Sequence, residues 1–305
     1  METIWDVLVV GGGPAGYTAG LYAARAGRSV LVLEGAEPGG QLATAEIVEN
    51  YPGLGAVGGG ELAERMRRDA VRSGAAVRPE QVTALDLTGL KKRADTSGGH
   101  YQSRTVIYAA GASPRTLDVP GETALRGRGV SFCAVCDGMF FRNRVVAVVG
   151  GGNSAVAEAV TLARLCRRVV LVHRRGELRA EQSLLDALER AENVTFLWNA
   201  GVEAILGTDA VTGLRYRDLS SGESRSLDCD GVFVAIGRAP NTGLLRGQLT
   251  LDGSGYIPAG ETTQTELEGV FAAGDVRAKG LRQIITAAAD GAAAAHQAVR
   301  YLEQR

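Results

Sequence analysis

Cys133 and Cys136, two residues apart and followed directly by Asp137, are the side chains best suited to reaction chemistry in this sequence. Two intervening residues put both sulfurs on one helical turn, close enough to bridge. A helix starting there lowers a thiol pKa and favours the nucleophilic thiolate. A partly desolvated carboxylic acid at Asp137 can protonate a leaving thiolate. Other readings of the pair stay open. A zinc site needs about four ligands, and Cys166, Cys229, His100, His173 and His296 offer no second pair at ligand spacing. A purely structural disulfide is not expected in a cytosolic chain. Inert buried thiols are a third reading of the pair, and the simplest one for Cys166 and Cys229.

Two glycine turns frame the pair. Gly11-x-Gly13-x-x-Gly16 follows an apolar strand at 6–10 and opens a helix at 14–26. Gly11 permits the tight turn, Gly13 lets a pyrophosphate approach the backbone, and Gly16 allows close helix–strand packing. The helix N-terminus, with Pro14 and Ala15 in its first turn, faces the phosphates with unpaired N–H groups. Glu34 ends the next strand, where a carboxylate accepts ribose hydroxyls and repels a 2′-phosphate. This site calls for FAD or NAD rather than NADP. The second turn is Gly150-x-Gly152-x-x-Ala155, with Asn153 and Ser154 inside it. The acid position is now His173, followed by Arg174, Arg175 and Arg179. Guanidinium groups pair bidentately with phosphate, so the cluster calls for NADPH. The bland counterparts are a packing turn without ligand and a solvated basic strand end.

The elements that must position these groups repeat. Residues 7–34 and 146–173 align without a gap at a constant offset of 139, Gly150 against Gly11. Each copy reads as strand, glycine turn, alanine-rich helix and strand, a dinucleotide-binding unit made twice. Ile107–Gly111 (with Ala110 before the glycine) and Val234–Arg238 (with Ile236 and Gly237) are apolar strand ends turning at glycine. Polar, strand-like stretches at about 81–105 and 202–230 precede them and read as small antiparallel crossover sheets. Ile284 to Tyr301 reads as an alanine-rich helix. The expected fold class is α/β, with two Rossmann-like domains and the NADPH domain inserted into the FAD domain. Its bounds are 1–116 with 247–305 for FAD, and 117–246 for NADPH and the thiols.

The bulk numbers agree. A chain of 305 residues suggests two domains by length. A net charge of −1 gives no electrostatic pull toward nucleic acid or an anionic membrane. No apolar run reaches the ~18 residues of a membrane helix. Glu2 and Asp6 precede a strand where a signal peptide would carry basic residues, so a cytoplasmic location is expected.

Over nearly its whole length the sequence resembles the bacterial-type, low-molecular-weight thioredoxin reductases. GGGPAG at 11–16 resembles their FAD turn. Pro38-Gly39-Gly40-Gln41-Leu42 and Glu49-Asn50-Tyr51-Pro52-Gly53 resemble segments that lie along the flavin. CAVCDG at 133–138 resembles their active-site motif. GGGNSA at 150–155 and HRRGELR at 173–179 resemble their NADPH turn and phosphate clamp. Gly274-Asp275-Val276 resembles the motif whose Asp holds the ribityl chain, and Arg282-Gln283-Ile284 the helix start beside the isoalloxazine. Singly these motifs are unspecific; in this order they are specific. Val135 stands where threonine is common and Tyr51 where tryptophan is common. Neither removes a required chemical group. No cysteine lies between Gly35 and Pro52, where the larger glutathione-reductase type carries its redox pair.

The resemblance implies electron transfer from NADPH through FAD to the Cys133–Cys136 disulfide and on to a disulfide protein such as thioredoxin. It implies that Cys136 faces the flavin, Cys133 attacks the substrate, Asp137 is the acid/base, and the protein is a homodimer without a metal. The thiols and the nicotinamide site share the inserted domain yet must both reach one flavin, so a rotation of that domain is expected. Glycines near Leu117–Gly121 and Gly243–Gly247 are the expected hinges. The alternatives are a reductase of another small disulfide protein, a non-catalytic FAD/NADPH redox sensor and a zinc-stabilised structural protein. The last predicts a colourless, metal-bearing chain.

Overall fold

The structure, a computed structural model, describes residues 3–35, 37–45 and 47–305. Glu2, used above in placing the protein, lies outside them. The chain divides into two compact units, Met1–Ser113 with Ala239–Arg305, and Pro114–Arg238.

In the first unit the strands are β1 (Ile4–Val10), β2 (Val30–Leu33), β3 (Ala76–Arg78), β4 (Val82–Asp86), β5 (Lys92–Thr96) and β6 (Gly99–Tyr108). The helices are α1 (Pro14–Arg25) and α2 (Gly59–Arg72). The sheet order is β3-β2-β1-β6-β5-β4. Strands β3, β2, β1 and β6 run parallel, whereas β5 and β4 are antiparallel. The polar stretch expected as a separate small sheet is therefore an extension of the main one. The first half of β6 pairs with β5, and its last residues take a late strand from the other end of the chain.

Alternation along β1 explains its two covers. Val7 and Val9 pack with α1 and the C-terminal helix, whereas Leu8 and Val10 pack with Leu31, Leu33, Leu245 and Ile257.

The second unit opens where β7 (Ala112–Pro114) leaves the first. It contains β8 (Val130–Ser131), α3 (Ala134–Asp137), β9 (Val145–Val149), α4 (Asn153–Ala163), β10 (Arg168–Val172), α5 (Gln182–Glu189) and β11 (Val194–Leu197). These are followed by β12 (Ala200–Gly207), β13 (Val211–Asp218), β14 (Ser224–Asp228) and β15 (Gly231–Val234). The order β11-β10-β9-β15-β8 is wholly parallel, and β12-β13-β14 is antiparallel. Val146 and Val148 pack on α4, while Ala147 and Val149 face the antiparallel sheet.

The chain returns to the first unit through β16 (Arg238–Pro240), adds β17 (Val270–Ala272) to β6, and ends in α6 (Ile284–Glu303). Helix α6 lies close along α1 because both faces are small. A methyl placed on Gly291 would meet the Ala15 carbonyl oxygen at 2.2 Å, so even alanine there would force the helices apart.

The unit boundaries fall upstream of the expected ones, and residues 239–246 group with the first unit. Asn241 Nδ2 donates to the Ala110 carbonyl at 2.8 Å, the Asn241 carbonyl accepts from Tyr108 Oη at 2.7 Å, and Leu245 is buried in the first unit's core. Gly121, expected as a hinge, is packed inside the second unit. A Cβ on it would lie 2.0 Å from the Ile205 carbonyl oxygen. Buried Glu122 fixes the same loop by accepting the Leu117 and Asp118 N–H groups, each at 2.9 Å.

Candidate functional site

The thiol turn follows directly from β8. Cys133 and Cys136 form a disulfide. Cys133 is the N-cap of α3, and its sulfur accepts the Cys136 N–H at 3.2 Å. An N–H aimed at that sulfur stabilises a thiolate on Cys133 once the bond is reduced. In the disulfide Cys136 is exposed and Cys133 half-buried. Asp137 is largely removed from water, which raises its pKa, and Ser131 Oγ, donating to Oδ2 at 2.6 Å, works in the opposite direction. This is the environment of a carboxyl that can hold and release a proton.

Cys166 and Cys229 are buried free thiols, pushed up to about 11 and about 12 by burial. They stay protonated and unreactive. Among the described residues no group of three His, Cys, Asp or Glu side chains could hold a metal ion.

The first glycine turn joins β1 to α1. Gly11 has φ of +115°, and a Cβ on it would meet the Ala109 carbonyl oxygen at 2.4 Å. A Cβ on Gly16 would collide with the Gly11 oxygen at 1.8 Å, so α1 can start this close to the strand only with glycine there. In front of Gly13 the nearest atom to such a Cβ is 4.0 Å away. Gly13 caps α1 with no side-chain bond, and the first turn carries no acid. The open approach and free N–H groups fit a pyrophosphate.

Glu34 directly follows β2 and is buried. Its Oε2 accepts from Tyr17 Oη at 2.7 Å, and the Arg67 guanidinium lies on both oxygens at 3.0–3.2 Å. Burial and the neighbouring carboxylate raise the Tyr17 pKa, so the phenol stays a donor. Oε1 accepts only from Arg67 in this network, leaving it capacity for a ribose hydroxyl. The charge of Glu34 is largely offset by Arg67.

The other residues expected along the flavin fall in the same unit. Gly40, Gln41 and Leu42 lie in one 3-10 turn, and Gln41 Nε2 donates to the Ala112 carbonyl beside Gly111. Asn50 Nδ2 donates to Gln283 Oε1 at 3.1 Å, which brings two distant expected residues together at the start of α6. Gln283 and Thr286 form a capping box there, and Ile284 is the first helical residue. Arg282 stacks 4.2 Å from the centre of the Tyr256 ring. Gly274 N–H donates to Asp290 Oδ2 at 3.0 Å, and Lys279 Nζ lies 2.9 Å from Asp290 and 3.7 Å from Asp275.

The second turn copies the first. Gly150 has φ of +154°, Gly152 caps α4 without a side-chain bond, and Ala155 is fully buried. A Cβ on Gly151 would strike the His173 ring at 2.2 Å, just as one on Gly12 would strike Glu34 Cβ at 2.2 Å. The residue that replaces the ribose acid thus lies on the same glycine. Burial, then Arg175 and Arg174, lower the His173 pKa, so its ring is neutral near pH 7 and the positive charge of the cluster comes from the arginines. His173 Nε2 is buried and finds no hydrogen-bond partner among the described residues.

Arg179 N–H donates to the Gly151 carbonyl at 2.7 Å, so the basic loop lies against the turn. Asn153 Nδ2 donates to Glu181 Oε1 and Glu181 N–H donates to Asn153 Oδ1, both at 2.9 Å. Both ends of the Asn153 side chain are engaged in fastening that loop; Ser154 is exposed beside it. Ile236, Gly237 and Arg238 follow β15 in the same unit, and the Gly237 carbonyl accepts from Arg115 N–H at 3.0 Å.

Several site residues carry no motif in the sequence. Tyr17, Arg67 and Asp290 act through partners far along the chain. Glu158 on α4 is the exception with a visible cue, a lone acid in the alanine-rich run around it. Burial pushes it up to about 7, opposed by Arg238 and aided by the charge of Asp137.

A family model described as pyridine nucleotide-disulphide oxidoreductase matches residues 5–291. A thioredoxin reductase of Mycolicibacterium smegmatis is 49% identical over 306 residues, covering 100% of this chain and 98% of that one. A bifunctional thioredoxin reductase/thioredoxin of Mycobacterium leprae is also 49% identical, but this chain spans 67% of it. The crystal structure of thioredoxin reductase from Streptococcus pyogenes covers both chains fully with a TM-score of 0.94 and 40% identity. The chain belongs to the pyridine nucleotide-disulphide oxidoreductase family, among its thioredoxin reductases.

Proposed function

We propose that this protein is an NADPH-dependent reductase whose Cys133–Cys136 pair reduces the disulfide of thioredoxin. The observation that carries the reading is the disulfide itself, set on an N-cap turn beside the half-buried acid Asp137. Thioredoxin reductases depend on FAD and NADPH. The first glycine turn, Glu34, Gly40–Leu42, Asn50, Ala110–Gly111, Gly274–Asp275 and Arg282–Ile284 would hold FAD. The second turn, His173–Arg179 and Ile236–Arg238 would hold NADPH. When bound, the two cofactors supply a two-electron route from NADPH to the disulfide.

The chain's own residues perform the exchange that follows. Cys133, its thiolate favoured by the Cys136 N–H, attacks one substrate sulfur and forms a mixed disulfide. The departing substrate thiolate takes a proton, and Asp137 is the acid placed to give it. Cys136 then attacks Cys133 Sγ, restoring the internal disulfide and releasing the substrate as a dithiol. Two cysteines outside the pair remain free thiols, which suits a reducing compartment such as the cytoplasm. Among the described residues no helix is long and apolar enough to cross a membrane.

We also propose a homodimer. The first unit exposes Tyr22, Leu54 and Ile285 around an open groove, an apolar surface of the kind a second copy covers. Sedimentation at micromolar concentration checks it, with a monomer as the refuting result.

The function is tested by NADPH oxidation with purified thioredoxins, against a small artificial disulfide as control. Thioredoxin-dependent oxidation is expected. Turnover of the artificial disulfide alone would assign another protein substrate, and no disulfide-dependent oxidation with a bound flavin would indicate a sensor.

A further inference from the structure

Ser131 carries no motif, yet it joins the acid to the thiol turn. It ends β8, is 4% exposed, and lies two residues before Cys133. Its oxygen accepts the Cys133 N–H at 3.1 Å. A hydroxyl has a single proton to give. The Cys133 carbonyl is 3.5 Å away, a marginal contact, whereas Asp137 Oδ2 is at 2.6 Å. With its acceptor side fixed by a backbone N–H, the hydroxyl proton is committed to the carboxylate. A 2.6 Å O–H···O contact is of the charge-assisted kind.

We propose that Ser131 is a positioning residue of the thiol site: it fastens the Asp137 carboxyl to the backbone of Cys133 and is the donor on which the ionised form of that carboxyl depends. The inference rests on the reading of Asp137 as the acid of disulfide exchange. It follows from the inventory of partners. Burial penalises the carboxylate, and the bond from Ser131 opposes that penalty. From α4, Glu158 faces Asp137 electrostatically, and Arg238 acts in turn on Glu158. The disulfide carries no charge. Ionisation of Asp137 without Ser131 would therefore leave a buried carboxylate beside a second acid.

The sign of the effect is fixed. Ser131 binds the ionised form, so its loss raises the Asp137 pKa. A step that needs protonated Asp137 slows as pH rises through that pKa, so the alkaline limb of the step moves to higher pH. The bond corresponds to an upward shift of about one to two pH units.

The test uses the oxidised holoenzyme labelled with 13C at aspartate carboxyls, with Asp137→Asn identifying the resonance. Ser131→Ala should move the Asp137 midpoint upward by about that shift, and carry the alkaline limb of single-turnover thioredoxin reduction with it. Ser131→Thr, which keeps the hydroxyl, should titrate as the parent does. An unmoved midpoint in Ser131→Ala overturns the proposal, as does an equal shift in both variants. The carboxyl titration needs no turnover. If Asp137→Asn exchanged disulfides at the parent rate, the role of Asp137 would fall while the titration still decided the role of Ser131.

Discussion

Replacing Tyr17 by Phe removes one oxygen and no ring, and the structure says what that oxygen holds. It donates to Glu34 Oε2 at 2.7 Å and accepts the Gly39 N–H at 3.1 Å, in a residue 1% exposed. One atom thus ties α1 to the end of β2 and to the turn leading into Gly40–Leu42. A bond to a charged group is worth about 1.5–3 kcal/mol, whereas the Gly39 N–H keeps the Gly12 carbonyl, at 2.8 Å, as its acceptor when the hydroxyl is gone. Arg67 stays on both carboxylate oxygens, which favours the lower end of that range. The expected loss is about 1.5–2 kcal/mol from the stability of the first unit. FAD should bind about tenfold more weakly, equivalent to ~1.4 kcal/mol, because Glu34 loses one of its two holders. The sequence has two tryptophans, Trp5 on β1 and Trp198 in the second unit. Denaturant unfolding followed by Trp5 emission, in a Trp198→Phe background, reads the first unit alone. Flavin fluorescence on dilution reads the affinity, with the exposed Tyr22→Phe as control. An unfolding free energy within about 0.5 kcal/mol of the parent, the range of ordinary surface changes, would refute the reasoning.

Cys136→Ser should keep FAD bound and reducible by NADPH but abolish disulfide turnover; near-parent reduction of thioredoxin would show that electrons leave elsewhere. Arg174→Gln with Arg175→Gln should raise KM for NADPH on the order of tenfold to a hundredfold and leave NADH little changed, because only NADPH has the phosphate. Steady-state kinetics with both nucleotides checks it, and equal losses would make the cluster structural. A reversible cross-link between the two units, made in the state that presents the thiols to the flavin, should stop NADPH oxidation until it is cut. Sustained turnover by fully linked enzyme would rule out the rotation.

What was legible in the sequence is what backbone geometry enforces. The two glycine turns must carry small residues where a Cβ would strike Gly11, Ala109 or His173, so their spacing survives as text. The parallel strands read as unbroken apolar runs because both faces are covered. Side-chain partnerships left no such trace. Arg67 lies 33 residues from Glu34 and Asn50 lies 233 from Gln283, with nothing in spacing to pair them. Spacing groups His173 with the cationic cluster, whereas its burial against Gly151 and the neighbouring arginines lower its pKa. Residues 239–246 group with the first unit through the contacts of Asn241 with Ala110 and Tyr108, 131 and 133 residues away, which spacing does not announce.

The clasp of α1 by α6, with β17 laid against β6, also governs the order in which the chain can be made. The second unit is one continuous stretch ending at Arg238, so all its contacts can form before the rest of the first unit is made. The first unit begins earlier but lacks β17 and the whole of α6 until the chain up to Glu303 has left the ribosome. At about 5–20 residues per second, the stretch from Ala239 onward takes several seconds more. During that interval the side of α1 that carries Ala15 and Ala19 has no cover, while a finished domain hangs from its open sheet. Nascent chains stalled before Ile284 should therefore hold a protease-resistant second unit on a protease-sensitive first. A flavin site that needs Arg282–Ile284 is complete only after α6 has emerged and covered α1.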